Sequence, residues 1–181
     1  MFRRTAVSDV RIDLIAAEHA GELMTVRRAA FVTEAQVYGD PHLPVLTESL
    51  EDIDKDLARE DVVTLGAWIG TRLVGSIRVA IDGTRAKLGR LAVTPDLQKQ
   101  GIGTALLLKV LEYLPEDISE VWVFTAQDKR ASLDIPGMPG HDDDFDEYAG
   151  ELTYSYLRRV LGEEDEDDDD LVDAFGAPAA D

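Results

Sequence analysis

The amino-acid sequence predicts an α/β fold built around one mixed β-sheet. Three apolar segments separated by glycine-containing turns, residues 62–69, 73–81 and 86–93, are typical of an antiparallel meander. A helical segment, residues 100–114, then leads to a near-continuous apolar run at residues 121–124, which is typical of a buried strand. A strand reached through a helical crossover is usually parallel to its predecessor, so the sheet is expected to contain both orientations.

A strand and two helices are predicted ahead of the meander. Residues 10–17 mix apolar and charged side chains as a half-buried strand does. In residues 19–38 apolar side chains recur at three- and four-residue spacings, which predicts a helix that ends at Gly39-Asp40-Pro41. Thr47 is the predicted N-cap of a second, amphipathic helix that runs to about Glu60.

The segment after the buried strand has a weaker pattern. Prolines and glycines interrupt residues 136–140, and five acidic residues follow up to Glu147, so this region is predicted to be a loop. Residues 151–159 alternate as a final strand does. Since the acidic run beyond Gly162 is typical of disorder, we divide the chain into one domain, residues 1–162, and a tail, residues 163–181.

Length, composition and charge exclude several classes of protein. The 181 residues have room for a single domain, and no apolar run approaches the length of about 18 residues that a membrane span needs. The net charge is −19, and ten of the acidic residues lie after Gly162. Because a negatively charged chain repels a phosphate backbone, we expect no nucleic-acid partner. Cysteine is absent, which excludes disulfides, zinc–thiolate sites and a cysteine nucleophile. No apolar signal segment follows Met1, so a cytoplasmic protein is expected.

One loop carries recognisable chemistry, and it lies between the third meander strand and the next helix. It consists of Gln98, Lys99, Gln100, Gly101, Ile102, Gly103 and Thr104. The N–H groups at a helix N-terminus lack intrahelical acceptors, and the helix dipole adds about half a positive charge, so such a loop binds phosphate. Glycines let a pyrophosphate approach, while Gln98 and Lys99 supply a donor and a cation. The alternative is that the two glycines allow the helix to pack closely on the strand.

The loop resembles the acetyl-CoA loop of the GNAT superfamily of N-acetyltransferases. In that family Gln or Arg is followed by two residues, Gly, one residue, and then Gly or Ala, which Gln98, Gly101 and Gly103 match. The order of predicted elements also fits, and residues 27–48 and 88–93 are similar to bacterial members. The resemblance implies a mixed, mostly antiparallel sheet with helices on both faces and a V-shaped splay between its central strands.

The resemblance also implies acetyl-CoA as cosubstrate. Pantetheine would lie in the splay against backbone groups of Leu91, Ala92 and Val93, and the loop from Gln98 to Thr104 would hold the pyrophosphate. The acetyl group would pass from the thioester sulfur to a primary amine of a small molecule or peptide by direct attack. Family members often pair, so a homodimer is a further expectation.

Candidate residues are present for the two proton transfers of this reaction. Glu34 and His42, near the loop that walls the acceptor site in the family, are candidates for the base that deprotonates the amine. In the family a Tyr donates a proton to the departing sulfur, but Pro136 occupies that position here. Tyr148 is the candidate in its place, because its loop replaces the missing helix. For all three residues, a packing or surface role is the alternative.

Other readings of the sequence stay open. Pro136 motivates a second hypothesis, a module on the same fold that binds acetyl-CoA without turnover as a sensor or for a partner protein. The acidic tail motivates a third, docking on a basic partner or a second copy. The acidic cluster at residues 142–147 does not fit an EF-hand, because the required Gly falls on Glu147 and the final Glu on Thr153. No metal site is therefore predicted, and attraction of a cationic amine is a minor hypothesis for this cluster.

Overall fold

A computed structural model describes residues 10–126, 147–149 and 152–160. The strands are β1 Val10–Leu14, β2 Val62–Ile69, β3 Arg72–Asp82, β4 Arg85–Val93, β5 Glu120–Ala126, β6 Glu147–Ala149 and β7 Leu152–Val160. The α-helices are α1 Ala20–Tyr38, α2 Pro44–Thr47, α3 Leu50–Leu57 and α4 Ile102–Leu111, and short 3₁₀ turns cover Ala17–His19 and Pro95–Leu97.

The described strands form one seven-stranded sheet in the order β1-β2-β3-β4-β5-β7-β6. Neighbouring strands are antiparallel except for β4 and β5, which are parallel. The chain passes from β4 to β5 through α4, and such a crossover is what allows a parallel pair. The mixed, mostly antiparallel sheet predicted from the sequence is confirmed.

Helices cover both faces of the sheet. On one face, Leu106 and Val110 of α4 are fully buried against the central strands. On the other, Leu23 of α1 and Ile53 of α3 are buried together with Trp68 of β2. Because a strand directs successive side chains to opposite faces, β2 and β4 contribute to both cores. The predicted helices on both faces are thus confirmed.

The strands β4 and β5 pair over part of their length. Their register joins residues 85–88 of β4 to residues 120–123 of β5, whereas β4 continues to Val93 and β5 to Ala126. Beyond residue 88 the two strands therefore part. This opening is the V-shaped splay that the family resemblance implied.

A β-bulge in β4 lies where the splay begins. Ser76 of β3 is opposite Ala92, and Arg78 is opposite Gly89, so two residue steps along β3 match three along β4. Arg90, inside the bulge, has a left-handed backbone with φ of 52°. A bulge bends its strand and increases the local twist, which accounts for β4 turning away from β5.

The predicted N-cap of the second helix was wrong. Thr47 ends the short helix α2, which begins at Pro44, a residue favoured in the first turn. The next helix, α3, is capped by Ser49, whose hydroxyl accepts a hydrogen bond from the Asp52 N–H at 3.2 Å. The Asp52 carboxylate accepts one from the Ser49 N–H at 3.0 Å, which completes a capping box.

Replacing Ser49 with alanine is expected to lower the free energy of unfolding by about 1 kcal/mol, because the α3 N-terminus loses its acceptor. Thr47→Ala is the matched control, since the exposed Thr47 hydroxyl donates to the Pro44 carbonyl at the end of α2 and caps no helix start. Urea unfolding measures both variants. An equal or larger loss for Thr47→Ala would contradict the assignment of the cap.

The predicted loop around Tyr148 was also wrong. Residues 147–149 form β6, which pairs with β7 so that Tyr148 lies opposite Thr153. Three residues are too few to show the alternation from which strands are predicted. Pro136, the rest of the acidic cluster and the tail lie outside the described residues.

Candidate active site

The loop between β4 and α4 contains two residues with left-handed backbone. Lys99 has a φ of 60° and Gly101 a φ of 83°, and α4 begins directly afterwards at Ile102. Glycine adopts such angles without steric cost, which gives Gly101 a conformational role. The same conformation is uncommon for a lysine, and strained residues of this kind cluster at ligand-binding sites.

The start of α4 presents unused hydrogen-bond donors. The first intrahelical bond of α4 runs from the Ala105 N–H to the Gly101 carbonyl at 2.9 Å, so the N–H groups of Ile102, Gly103 and Thr104 precede the ladder. No side chain of the described residues caps this end of the helix. The arrangement has the donors and the dipole that bind an anion.

Gly103 is not required for packing within the described structure. A Cβ atom at this position would lie 3.7 Å from Leu91 Cδ2 and 3.9 Å from Val93 Cγ2, which are ordinary van der Waals distances. The alternative that Gly103 only allows close packing of the helix is therefore not supported. The glycine instead leaves space between the start of α4 and the end of β4.

The side chains of Gln98 and Gln100 form hydrogen bonds with the backbone of the loop and of the strand before it. Gln98 donates through Nε2 to the Val93 carbonyl at 3.0 Å, and Gln100 donates through Nε2 to the Asp96 carbonyl at 3.4 Å. The structure thus gives the Gln98 side chain a backbone partner, and its role as a phosphate donor stays a prediction. Lys99 is exposed, so its positive charge lies at the surface of the loop.

The end of β4 directs backbone groups into the splay. The Thr94 N–H donates to the Val74 carbonyl of β3 at 2.9 Å, so the backbone groups of Ala92, two residues earlier, also face β3. Those of Leu91 and Val93 then face away from β3 and into the opening. The bond that the Val93 carbonyl accepts from Gln98 agrees with this orientation.

Comparison with known families decides what the chain is. The model of the Acetyltransferase (GNAT) family matches residues 27–134, which is more than half of the 181 residues. The chain belongs to the GNAT acetyltransferase family. The resemblance inferred from the loop at Gln98, Gly101 and Gly103 is thereby confirmed.

One curated relative of this GNAT acetyltransferase is the UPF0157 protein YqkA of Bacillus subtilis (strain 168). The two are 28% identical over 116 residues, which cover 64% of this chain and 32% of the relative. The chain thus spans about a third of the length of that protein.

Solved structures of acetyltransferases share the fold. The PaiA N-acetyltransferase from Thermoplasma acidophilum, in complex with coenzyme A, has a TM-score of 0.67 and 21% identity, with 83% of this chain and 98% of that chain covered. The ribosomal-protein-S18-alanine N-acetyltransferase from Escherichia coli has a TM-score of 0.66 and 14% identity, with 87% and 97% covered. An aminoglycoside acetyltransferase from an uncultured soil metagenomic sample, in complex with sisomicin, has a TM-score of 0.62 and 18% identity, with 79% and 97% covered.

The predicted catalytic residues of this GNAT acetyltransferase lie in three different parts of the fold, which are α1, the loop between α1 and α2, and β6. Glu34 is half-buried on α1, next to Ala35, which packs in a small apolar cluster. His42 is exposed, and its backbone N–H donates to the Asp40 carboxylate at 2.8 Å. Tyr148 lies on β6, two strands from β5 on the side away from β4, which corresponds to about 10 Å. The role of Tyr148 as proton donor stays a prediction.

The sequence prediction missed an ionic cluster at the β4 bulge, which we call the arginine cluster: Arg27, Arg28, Glu48 and Arg90. Arg27 Nη1 lies 3.6 Å from Glu48 Oε2, and Arg90 forms an ion pair with Glu48 Oε1. Arg28 donates through Nη2 to the main-chain oxygen of Glu48 at 2.9 Å. The available signal was Arg27 itself, a charged residue on the apolar stripe of α1.

Burial lowers the pKa of two arginines of this cluster, Arg27 and Arg90. Arg27 is 1% exposed, and burial, followed by the positive charge of Arg90, lowers the pKa of Arg27 to about 10. Burial also lowers the pKa of Arg90. Arg27 still carries its charge at neutral pH, so the fold keeps two like charges close together beside a single carboxylate.

An exposed ion pair ties the start of the loop to β3. Arg72 donates through Nη1 and Nη2 to the two Asp96 carboxylate oxygens at 2.8 and 3.0 Å. These hydrogen bonds lower the pKa of Asp96 to about 2. Because the folded pKa lies below the usual value, the pair contributes stability above that value and loses the contribution as the pH falls through about 2.

The carboxyl group of Asp96 is therefore expected to titrate well below the ordinary aspartate range in the folded protein, with a midpoint near pH 2. An NMR titration of the carboxyl carbons measures this midpoint. In Arg72→Gln the midpoint should rise toward the ordinary aspartate pKa of 3.8, because the donor is removed. A wild-type midpoint at the ordinary value would show that the pair is not maintained in solution.

Among the described residues, no group of three or more His, Asp or Glu side chains is arranged to hold a metal ion. None of the helices in this part of the chain combines the length and the apolar character that crossing a membrane requires.

Proposed function

We propose that this GNAT acetyltransferase transfers the acetyl group of acetyl-CoA to a primary amine of a small molecule or a peptide. The observation that supports this best is the meeting of two features at the end of β4. One is the uncapped start of α4, and the other is the pair of residues, Leu91 and Val93, whose backbone groups face the splay.

The residues present fit coenzyme A. The N–H groups of Ile102, Gly103 and Thr104 would hold its pyrophosphate, and Lys99 would add a positive charge. Backbone groups that face an open strand edge can pair with the amides of pantetheine as a neighbouring strand would. Acetyl-CoA supplies the reactive thioester, and the chain supplies its alignment with the amine.

Alignment is the main source of acceleration in this proposal. Well-oriented pairs of reactants reach effective molarities of about 10⁵ M or more. An alkyl amine with a pKa of about 10 must lose a proton before it attacks, and Glu34 and His42 are the proposed groups that receive it, directly or through water. The leaving thiol has a pKa of about 8.5, so its thiolate departs without a strict need for an acid.

A second candidate function rests on Pro136, which occupies the position of the family's proton-donating Tyr. Loss of a general acid typically costs about 10²- to 10⁴-fold in rate. A chain that binds acetyl-CoA and turns it over very slowly would serve as a sensor or as a module for a partner protein.

Calorimetry with acetyl-CoA, followed by thiol-release assays on a panel of amines, tests the proposal. The expected result is saturable binding of acetyl-CoA together with thiol release that depends on the amine. Binding without release above background on any amine would favour the second candidate. Failure of the folded chain to bind acetyl-CoA would contradict both.

A cytoplasmic location and a homodimer stay predictions. Sedimentation of the full chain tests the dimer, and a single monomeric species at all concentrations would contradict it. Truncation after Gly162 in the same experiment tests whether the acidic tail docks on a second copy.

A further inference from the structure

The arginine cluster brings more positive than negative charge to one place. Three guanidinium groups contact Glu48, two at its carboxylate and one at its main-chain oxygen. The chain as a whole has a net charge of −19, so such an excess of arginine is not a consequence of composition. A neighbouring pair provides the contrast, because Arg78 donates to both Asp56 oxygens at 2.5 and 2.6 Å and is matched one to one.

Arg27 lacks the hydrogen bonds that a buried guanidinium normally makes. Its Nε, Nη1 and Nη2 atoms are buried, and none of them forms a hydrogen bond with any described residue. The Oε2 atom of Glu48, 3.6 Å from Arg27 Nη1, is also buried and also forms no hydrogen bond with any described residue. Since a buried charged group without partners is costly, a further hydrogen-bond acceptor beside this cluster would be stabilised.

The cluster lies next to the proposed reaction centre. Arg90 is the bulge residue from which β4 turns away from β5, and Leu91, which follows it, has backbone groups that face the splay. Arg90 is 31% exposed and Glu48 13% exposed, so the cluster opens to solvent through these two side chains. A ligand can therefore reach the surplus charge at Arg90.

We propose that Arg90, backed by Arg27, forms a subsite for a carboxylate of the acceptor, so that the preferred acceptors are amines that also carry a carboxylate, as amino acids do. This inference rests on the proposed acetyl transfer. A guanidinium binds a carboxylate with two parallel hydrogen bonds. At the carboxylate of Glu48 two guanidinium groups, those of Arg27 and Arg90, meet one negative charge, so positive charge is left over for an anionic group of the ligand.

Matched acceptors test the subsite. Glycine, alanine and leucine are each compared with their carboxamides as acetyl acceptors, in the wild type, Arg90→Gln and Arg90→Lys. A lost charged hydrogen bond costs about 10- to 100-fold, so Arg90→Gln should lower the acid-to-amide ratio of kcat/KM by about that factor. Arg90→Lys should retain part of the ratio. Comparing ratios between variants cancels the different amine pKa values of acids and amides.

Arg78→Gln/Asp56→Asn is the control for this experiment. It removes both charges of the neighbouring part-buried ion pair and leaves the surplus charge of the cluster in place, so its acid-to-amide ratio should equal that of the wild type. Equal ratios in the wild type and Arg90→Gln would overturn the subsite, whereas acetyl-CoA binding and amine turnover would still stand.

A binding measurement keeps the subsite testable if turnover is absent. N-acetylalanine and N-acetylalaninamide are titrated calorimetrically into the chain saturated with coenzyme A. The acid should bind at least about tenfold more tightly than the amide to the wild type, and this preference should disappear in Arg90→Gln. Equal affinities for the two compounds would overturn the proposal. Acetyl-CoA binding, measured on every variant, shows separately whether the cofactor site is intact.

Discussion

Replacing Gly103 with leucine is expected to weaken acetyl-CoA binding by about 100-fold or more without destabilising the fold, because two charged hydrogen bonds to the pyrophosphate would be lost. The leucine Cβ would meet neighbouring side chains at ordinary distances of 3.7 and 3.9 Å. The rest of the side chain would then cover the N–H groups at the start of α4. Leucine is also the better helix former by up to about 1 kcal/mol, so thermal stability should be unchanged or raised. Calorimetry with acetyl-CoA and a thermal melt measure the two effects.

Gly21→Leu is the matched control. Gly21 also lies in the first turn of a helix, α1, and a Cβ there would meet nothing within 4 Å. The control should gain the same helix propensity and keep its affinity for acetyl-CoA. If Gly103→Leu is folded and binds acetyl-CoA as tightly as the wild type, the start of α4 is not the pyrophosphate site.

Replacing Glu48 with glutamine should lower the free energy of unfolding by about 3 kcal/mol, because a buried charge then loses its counter-ion. The variant keeps the shape of the side chain but leaves Arg27, which is 1% exposed, beside the like charge of Arg90. Urea unfolding monitored by circular dichroism measures the loss at neutral pH, where Arg27 remains charged.

Asp96→Asn provides the comparison for that measurement. It breaks the pair with Arg72, in which the two side chains are 57% and 55% exposed, and such pairs contribute about 1 kcal/mol or less. The double variant Arg27→Met/Glu48→Gln should recover part of the stability lost in Glu48→Gln, because the uncompensated charge is removed with it. A loss in Glu48→Gln no larger than that in Asp96→Asn would mean that Glu48 does not stabilise the cluster.

Local patterns were sufficient to predict the framework of this fold. The meander strands agree with β2, β3 and β4 to within one residue at each end, because turn residues and apolar alternation both mark their limits. The start of α4 could be located from Gly101 and Gly103. A residue with left-handed backbone at the helix start favours glycine, and so does the close approach of a ligand that was predicted for this loop. The parallel pairing of β4 with β5 followed from the crossover rule.

Features that depend on distant contacts could not be predicted in the same way. The N-cap of α3 lies at Ser49 rather than Thr47, and both residue types favour that position. The arginine cluster joins residues 27, 48 and 90, which meet only after the helices have packed on the sheet. The position of Tyr148 beyond β7 likewise depends on strand order. Sequence patterns describe neighbours along the chain, and these features are neighbours in space.

The partial pairing of β4 with β5 gives the cleft a taper. At Leu88 and Val123 the strands are one ladder spacing apart, about 4.8 Å, and the gap widens from there toward Val93 and Ala126. Beyond that last pair the backbone groups of each strand have no partner in the other strand, so a thin, extended chain can lie edge-on between them.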